Sequence, residues 1–524
     1  MTEPVVLVLG IVVAVALAVV SRRLELPYPI VFVIAGTLIA FIPGLPPVSI
    51  ASDWIFITLL PPLLFSAGWL TDWVMFRKNL RPILQLAIGL VILTTVAVAL
   101  VARQLLPMLG IAEAFVLGAI VSPPDAVAAS AVFERFAVPR RIVAIVEGEG
   151  LLNDATALVI YAYAVVAVTT ASFSLGEASR SFVFVAVGGV VVGLVLAIAV
   201  EAISRFLARY DLSDSLIENL LIIGCPYGAY LIGQAVHVSS VLAVVVAGIA
   251  LSRRSSTVYG PQTRLIAWNV WTLWIYVLNA YIFLAIGLEL RTFVEQGSRF
   301  YAFLPAALAI SALVIVIRFV WLYPSAYIAR LIPAVRINDP MPAAGVLVLI
   351  GWTGMRGIVS LAAAIALPPS FPRRDVIVFV TFVVIFVTLV GQGLTLKPLL
   401  RLLRLADEGG EHDRELEIRI TALRAGLERI LNLSRRTSGA HETEDLQRLR
   451  SEYESRIEHL QHQVGKPAPQ NALEHPEDRR NQAEIEALRA ERNAIMGLRD
   501  SGEIPDEIFR RIEYDLDLAE SRLY

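Results

Sequence analysis

The chain has 524 residues, of which 57% are hydrophobic and only 17% are charged. This composition excludes an ordinary soluble domain and predicts a polytopic membrane protein. The formal net charge of −2 argues against a nucleic-acid partner. Because Cys225 is the only cysteine, the sequence offers neither a disulfide framework nor a cysteine metal site.

Charged residues are concentrated toward the C-terminal end of the chain. Of the 44 lysines and arginines, 18 follow residue 404, within the last 120 residues. This shift in composition predicts two parts. Residues 1–404 are expected to form a transmembrane domain, and residues 405–524 a cytosolic, helical, coiled-coil-like tail.

Thirteen apolar runs of helix length precede the tail, which predicts an all-α membrane domain of about thirteen transmembrane helices. They lie near residues 4–20, 28–42, 54–70, 82–102, 112–132, 142–166, 182–204, 216–234, 238–252, 266–288, 301–323, 343–366 and 376–396. Loops on the tail's side carry 18 lysines and arginines, against 6 in the opposite loops. The positive-inside rule therefore predicts a cytosolic tail and an external N-terminus, in the inner or plasma membrane of the cell.

Two of the predicted spans contain sequences that disfavour a continuous helix. The fifth carries Pro123 and Pro124, which remove two backbone donors, and the twelfth carries three glycines and an arginine over Gly351–Gly357. Unwound backbone is tolerated at membrane depth only where it is buried in protein or lines a cavity. Because the two segments are seven spans apart, they run in opposite directions, as inverted repeats require. Paired broken helices indicate a transporter's binding site, and the alternative is a proline kink with ordinary glycine packing.

The sixth span carries three carboxylates, Glu147, Glu149 and Asp154, together with Asn153. A charge at mid-bilayer costs roughly 2.5–3.5 kcal/mol on insertion scales, so these groups are expected to line a polar pathway or to pair with cations. At 100° per residue, Glu147 and Asp154 share one helical face, and Glu149 shares a neighbouring face with Asn153. Glu147 lies toward the cytosolic end, where it is a candidate for the mouth of a funnel or simply for a solvated position.

The positive charges available inside apolar spans are Arg318 and Arg356, which do not suffice for all the carboxylates once Asp125 is included. We expect one of these arginines to hold Glu149 in a structural ion bridge, and Asp154 to lack a fixed partner. An isolated buried charge is too costly, so Asp154 must hold a proton or bind a mobile cation. A site that takes one or the other, but not both, is the physical basis of exchange. The alternative is that every carboxylate pairs with an arginine and merely orients helices.

The tail shows the pattern of amphipathic helices. Leu416, Ile420 and Leu423 begin a 4-3 spacing that is typical of coiled coils, and further helices are predicted around 480–498 and 505–521. A helical hairpin that aids assembly and a ligand-sensing regulator both fit this pattern, and we favour the hairpin.

Four segments resemble the motifs of the monovalent cation:proton antiporter-1 family, which contains prokaryotic sodium/proton antiporters and animal sodium/hydrogen exchangers. They are Leu60–Phe65, Ser122–Val127, Glu147–Ala155 and Gly354–Gly357, and they occur in the family's order and at family-like spacing. The resemblance extends over the whole predicted membrane domain. It implies six core helices, including two crossed broken ones, that move against a dimerisation domain, and hence a homodimer.

The resemblance also implies a function and a site. The chain would exchange a monovalent cation for H⁺ one for one, with Asp154 carrying either, for pH and cation homeostasis. Asp125 and the backbone carbonyl of Pro124 would belong to the ion site, and Asn153 would orient it. Na⁺ is the first candidate, with Li⁺ and K⁺ as alternatives. We expect no cofactor and no metal beyond the transported ion.

Three positions depart from the family's pattern. Pro124 stands where threonine is frequent, so only its carbonyl can serve as a ligand. Gly150 stands where serine is frequent, which removes a hydroxyl, and Ser66 stands where many members have a carboxylate. Fewer protein ligands leave the choice of cation open.

A cation channel and an intramembrane hydrolase are the two alternative classes of function. A cation channel also uses broken helices and acidic linings. An intramembrane aspartyl hydrolase would require Asp125 and Asp154 to form a carboxylate dyad, but the adjacent prolines fit an ion site better. The sequence contains no P-loop, no G-x-S-x-G and no H-E-x-x-H, so an enzyme is not expected.

Overall fold

The chain divides into two compact units, Met1–Ala406 and Asp407–Tyr524. A computed structural model describes residues 3–24, 26–42, 55–133, 138–170, 175–295, 298–331, 341–403, 410–434 and 440–463, with isolated positions beyond 490. Throughout these residues the regular secondary structure is helical, without a β-strand, which confirms the predicted all-α class.

The helices of the first unit are numbered here in chain order. They are α1 (Glu3–Arg23), α2 (Tyr28–Ala40), α3 (Leu60–Leu70), α4 (Trp73–Lys78), α5 (Leu80–Leu105), α6 (Ile111–Val121), α7 (Ala126–Phe133), α8 (Arg140–Thr170), α9 (Leu175–Arg209), α10 (Ser215–Ala235), α11 (Ser240–Val258), α12 (Pro261–Glu295), α13 (Ser298–Tyr301), α14 (Leu304–Ile328), α15 (Ala344–Trp352), α16 (Ile358–Ile365) and α17 (Arg374–Leu403). Helices α5 and α17 each contain a π-helical stretch, Gln85–Leu90 and Val387–Gln392 respectively.

Within the described residues, nine helical segments are long and apolar enough to cross a membrane. Helices also occupy the other four predicted ranges, as α1, α2, α3 and the pair α15 and α16. Every predicted range therefore contains helix among its described residues. Thirteen crossings stay a prediction, because α2, with 13 residues, is shorter than the roughly 20 residues that span a bilayer.

The two predicted helix breaks are present. The fifth predicted span consists of α6 and α7, which are separated by Ser122–Asp125, and the twelfth consists of α15 and α16, separated by residues 353–357. Pro123 and Pro124 explain the first break, because neither has the backbone N–H that a continuing helix would need. In the second break, glycines let other chain segments approach the unwound backbone closely.

The helices of the first unit pack mainly as two groups. The scaffold group comprises α2, α3 and α9 to α12, and the core group comprises α5 to α8 and α14 to α17. Glycines allow the scaffold helices to touch: a Cβ at Gly36 of α2 would lie 3.0 Å from the Cα of Gly287 in α12. A Cβ at Gly68 of α3 would likewise lie 2.6 Å from the carbonyl oxygen of Val245 in α11. Small residues at such contacts are how membrane helices gain close packing without a hydrophobic driving force.

The described part of the second unit contains two helices that pack against each other. They are α18 (Gly410–Ser434) and α19 (Ala440–Gln463). Leu416 and Ile420, which begin the predicted 4-3 spacing, are buried. The helices predicted around 480–498 and 505–521 lie outside the described residues, apart from isolated positions.

Candidate functional site

The two helix breaks meet in the interior of the first unit. The backbone N–H of Asp125, at the end of the first break, donates to the carbonyl of Met355 in the second at 2.6 Å. Each break therefore supplies part of the hydrogen bonding that the other lost on unwinding, which is the condition for non-helical backbone at membrane depth. The contact fixes the crossing point of the broken helices.

Arg356 satisfies backbone carbonyls at this crossing. Its Nε donates to the carbonyl of Val121 at 2.8 Å and its Nη1 to the carbonyl of Gly354 at 2.5 Å. Its own backbone N–H donates to the hydroxyl of Thr388 at 3.0 Å, on the π-helical stretch of α17. These bonds place the charge of the fully buried Arg356 at the C-terminal ends of the half-helices α6 and α15. Helix dipoles favour a cation there.

Asp125 lies beside the N-terminal ends of the other two half-helices. One carboxylate oxygen accepts from the backbone N–H of Val127 in α7 at 2.9 Å. A Cβ at Gly357, which immediately precedes α16, would overlap the carboxylate, so this position requires glycine. Helix N-termini stabilise a nearby negative charge. The second carboxylate oxygen is buried and has no hydrogen-bond partner among the described residues.

Helix α8 brings Asn153 and Asp154 to the first break. The side-chain amide of Asn153 donates to the carbonyl of Pro124 at 2.7 Å, so the carbonyl freed by the prolines is held in place. Asp154 is the next residue, and its side chain is nearly buried at 9% exposure. In the part of the chain that is described, the carboxylate of Asp154 has neither a hydrogen-bond nor a salt-bridge partner. Asp154 therefore combines near-complete burial with the lack of a partner among the described residues.

A cavity of about 230 Å³ connects these groups. It lies between the scaffold group, which contributes α2, α3 and α12, and the core group, which contributes α7, α8, α16 and the first break. Asp125, Asp154 and Glu147 line it, and the carboxylate of Glu147 accepts from the hydroxyl of Ser130 at 3.0 Å. The structure thus places three of the predicted acidic residues along one cavity.

Glu149 faces away from this cavity and forms a buried ion pair. The guanidinium of Arg318 contacts both of its carboxylate oxygens, at 2.5 and 2.7 Å, and both side chains are 1% exposed. The Nε of Arg318 also donates to the carbonyl of Ile350 in α15 at 3.0 Å. The pair therefore links α8, α14 and a half-helix. Of the two arginines offered by the sequence, the structure gives this contact to Arg318, whereas Arg356 contacts backbone carbonyls.

The structure shows the surroundings of two positions that depart from the family's pattern, Gly150 and Ser66. A Cβ at Gly150 would lie 2.6 Å from the Cβ of Ala126, so this glycine allows α8 to approach the start of α7. Ser66 lines the cavity, but its hydroxyl donates to the carbonyl of Leu63 at 2.7 Å. Neither position brings a free charge to the cavity.

The structure also identifies residues that sequence reasoning missed. Asn279 of α12 is fully buried and lines the cavity, and Thr388 supports Arg356. In the sequence, both appear only as single polar residues inside apolar spans, and many such residues form hydrogen bonds within their own helix. The packing of the helices distinguishes these local polar residues from those that reach the site.

Comparison with known proteins gives a consistent result. A family model described as "Sodium/hydrogen exchanger, transmembrane" matches residues 10–402. An uncharacterised Na⁺/H⁺ exchanger of Mycobacterium tuberculosis is 31% identical, over 99% of this chain and 97% of that protein. A sodium, potassium, lithium and rubidium/H⁺ antiporter of Bacillus pumilus is 32% identical, over 72% of this chain and 58% of that protein. The sodium proton antiporter MjNhaP1 of Methanocaldococcus jannaschii has a similar fold, with a TM-score of 0.56 and 18% identity over 75% of this chain and all of that one.

Crossed broken helices, a cavity between two helix groups and a buried carboxylate without a partner among the described residues define a secondary transporter of the membrane. The match over residues 10–402 makes the assignment specific: the chain belongs to the sodium/hydrogen exchanger family. It is a multi-pass membrane protein whose activity is cation/proton antiport. The predicted family and the predicted class of function are confirmed.

Proposed function

We propose that Asp154 is the group that alternately binds H⁺ and the transported cation. The observation that carries this proposal is the contrast among the buried carboxylates. Glu149 has Arg318, and Asp125 lies at two helix N-termini, while Asp154 lines the cavity without a partner among the described residues. A desolvated carboxylate in that position must be neutralised by a proton or a cation. The two ligands compete for one group, which couples their movements.

Further groups complete the proposed site. Asp125 contributes its second carboxylate oxygen, and the carbonyl of Pro124 contributes a neutral oxygen that Asn153 holds in place. The Glu149–Arg318 pair serves as the core ion bridge, which keeps α8 and the broken helices together while the core group moves. Glu147 lines the cavity, and we propose that it belongs to a cytosolic funnel.

The proposed ion is Na⁺, with K⁺, Li⁺ and Rb⁺ as the series to be tested. The name of the Bacillus pumilus relative includes all four ions. Ser66 and Gly150 supply no charged ligand here, so the site is built from few protein oxygens. The cytosolic tail, the external N-terminus and a homodimer, as in the family's pattern, belong to the same proposal.

We propose that the exchange is electroneutral. One carboxylate that gives up one proton for one monovalent cation moves no net charge across the membrane. An electrogenic step would respond to voltage by about 2.3 kcal/mol per elementary charge per 100 mV. Exchange in proteoliposomes should therefore proceed at the same rate with and without an imposed potential of about 100 mV.

The decisive experiment is a proton-flux assay in proteoliposomes with an imposed pH gradient and each of the four cations. We expect Asp154→Asn to reduce exchange to the level of empty liposomes, because the amide can neither release a proton nor balance a cation. Asp375→Asn makes the same chemical change at an exposed position outside the cavity and should exchange normally. Robust exchange by well-folded Asp154→Asn would refute the assignment.

A further inference from the structure

The scaffold side of the cavity contains a buried amide. Asn279 belongs to α12 of the scaffold group, has no exposed surface and lines the same cavity as Asp125 and Asp154. Its side-chain carbonyl oxygen has no hydrogen-bond partner within the described residues. A buried carbonyl left without a partner costs about 1–3 kcal/mol, so this unsatisfied oxygen, on a residue that lines the cavity of Asp125 and Asp154, indicates a place for a ligand.

The orientation of this amide is set by the packing of α2 against α12. Gly36 and Gly287 form the close contact between these helices, and Tyr28 and Asn279 each lie eight residues earlier in their helix. The amide nitrogen of Asn279 donates to the hydroxyl oxygen of Tyr28 at 3.3 Å. Because this hydrogen bond holds the nitrogen, the oxygen of the amide points away from Tyr28. The ring of Tyr28 packs against that of Tyr276, with 5.3 Å between the ring centroids.

A neutral amide oxygen is a suitable partner for an alkali cation. Such ions exchange their hydration shell for carbonyl-type oxygens, and the number of these oxygens bears on which ion is favoured. The core side of the cavity supplies the three carboxylates of Asp125, Asp154 and Glu147, while Gly150 lacks a side-chain oxygen. On the scaffold side, the hydroxyl of Ser66 donates to the carbonyl of Leu63. The oxygen of Asn279 therefore adds a neutral ligand on the scaffold side of the cavity, where the hydroxyl of Ser66 is already used.

We propose that the side-chain carbonyl of Asn279 coordinates the transported cation when Asp154 binds it, so that the cation is held between the two helix groups. This inference rests on the proposed role of Asp154. The amide is neutral and has no proton to exchange, so it adds to the binding of the cation without adding to the binding of H⁺. It is thus a specificity-determining residue supplied by the scaffold group, and Tyr28 is its positioning residue.

The test compares variants by their apparent KM for Na⁺, Li⁺, K⁺ and Rb⁺ in proteoliposome exchange. Asn279→Leu keeps the volume of the side chain and removes the oxygen. We expect its KM to rise about tenfold, the equivalent of one ion–oxygen contact of about 1.4 kcal/mol, with a maximal rate close to that of the wild type. Asn279→Ser keeps an oxygen and should lie between the two. Tyr28→Phe removes the tether and should raise KM by a smaller factor, with an altered order among the four cations.

A purely structural amide predicts a different pattern. Asn279→Leu and Tyr28→Phe would then change thermal stability without alkali cations and leave KM and the order of cations unchanged, and that result would overturn the inference. The rise in Tm on adding a cation is a second measurement, because a ligand that binds only the folded state raises Tm. The rise in Tm with Na⁺ should be reduced in Asn279→Leu, and a full rise in that variant also counts against the inference.

The same assay separates this inference from the proposed function. If Asp154→Asn abolishes exchange while Asn279→Leu keeps the wild-type KM for all four cations, only the role of Asn279 is refuted. If Asp154→Asn exchanges cations normally, the proposed site itself is wrong, and with it the inference about Asn279. Asn279→Ser provides the KM measurement if the leucine variant does not fold.

Discussion

Removal of the guanidinium of Arg318 should destabilise the protein far more than it weakens cation binding. Arg318 and Glu149 are both 1% exposed and share two hydrogen bonds at 2.5 and 2.7 Å. Arg318→Ala leaves the carboxylate of Glu149 buried without a counter-charge. Breaking a buried pair in this way costs about 3–5 kcal/mol. The loss of the bond from Nε to Ile350 adds to this, since a bond to a charged donor contributes about 1.5–3 kcal/mol.

Thermal unfolding of the purified protein in detergent measures the effect. Domains of about 150–250 residues lose about 2–4 °C per kcal/mol, and the shift becomes smaller as the chain becomes longer. For a membrane unit of this size we take about 1–2 °C per kcal/mol, which gives a decrease in Tm of about 3–10 °C for a loss of 3–5 kcal/mol. The apparent KM for the cation should change by less than about threefold, because Arg318 does not line the cavity.

The comparison with an exposed arginine provides the control. Arg205 pairs with Glu201 at 2.5 Å, but its side chain is 66% exposed, and Glu201 keeps a second arginine, Arg254. Arg205→Ala should therefore cost no more than about 1 kcal/mol. The double variant Arg318→Met with Glu149→Leu should recover much of the stability lost by Arg318→Ala, since it leaves no unpaired charge. An unchanged Tm for Arg318→Ala together with a strongly raised KM would show that the pair acts in ion binding and is not structural.

Two further predictions concern the crossing and the tail. Gly357→Ala places a methyl group on the carboxylate of Asp125, so either Asp125 leaves its bond to Val127 or α16 shifts. Exchange in proteoliposomes should therefore fall at least about tenfold. Normal exchange would show that the carboxylate has room to move. Deletion of residues 410–524 should leave exchange measurable in the same assay, because the two units are each compact; a folded truncation without exchange would show that transport requires the tail.

Local chemistry explains why much of the fold could be predicted. Two adjacent prolines in the middle of a predicted span, such as Pro123 and Pro124, interrupt the helix because both backbone donors are missing. Pro61 and Pro62 lie in the first turn of α3, where no such donors are needed. Carboxylates in an apolar segment are similarly informative, since their cost in a membrane does not depend on the details of packing. The span ranges, the break at Pro123 and Pro124 and the unusual position of Asp154 followed from these properties.

Partner choice and side-chain orientation required the tertiary structure. Arg318 and Arg356 are both single arginines in apolar spans, and nothing in their local sequence distinguishes the ion pair of one from the carbonyl contacts of the other. In the sequence, Asn279 is a polar residue in a long apolar helix, and nothing nearby indicates its partner. The contact between Gly36 and Gly287 brings α2 alongside, so that Tyr28 accepts a hydrogen bond from Asn279. The sequence by itself thus determined where helices break and which charges are costly, because those are properties of single residues and their neighbours in the chain. The tertiary structure decided which groups remain without a partner, because that depends on helices far apart in the sequence meeting around one cavity.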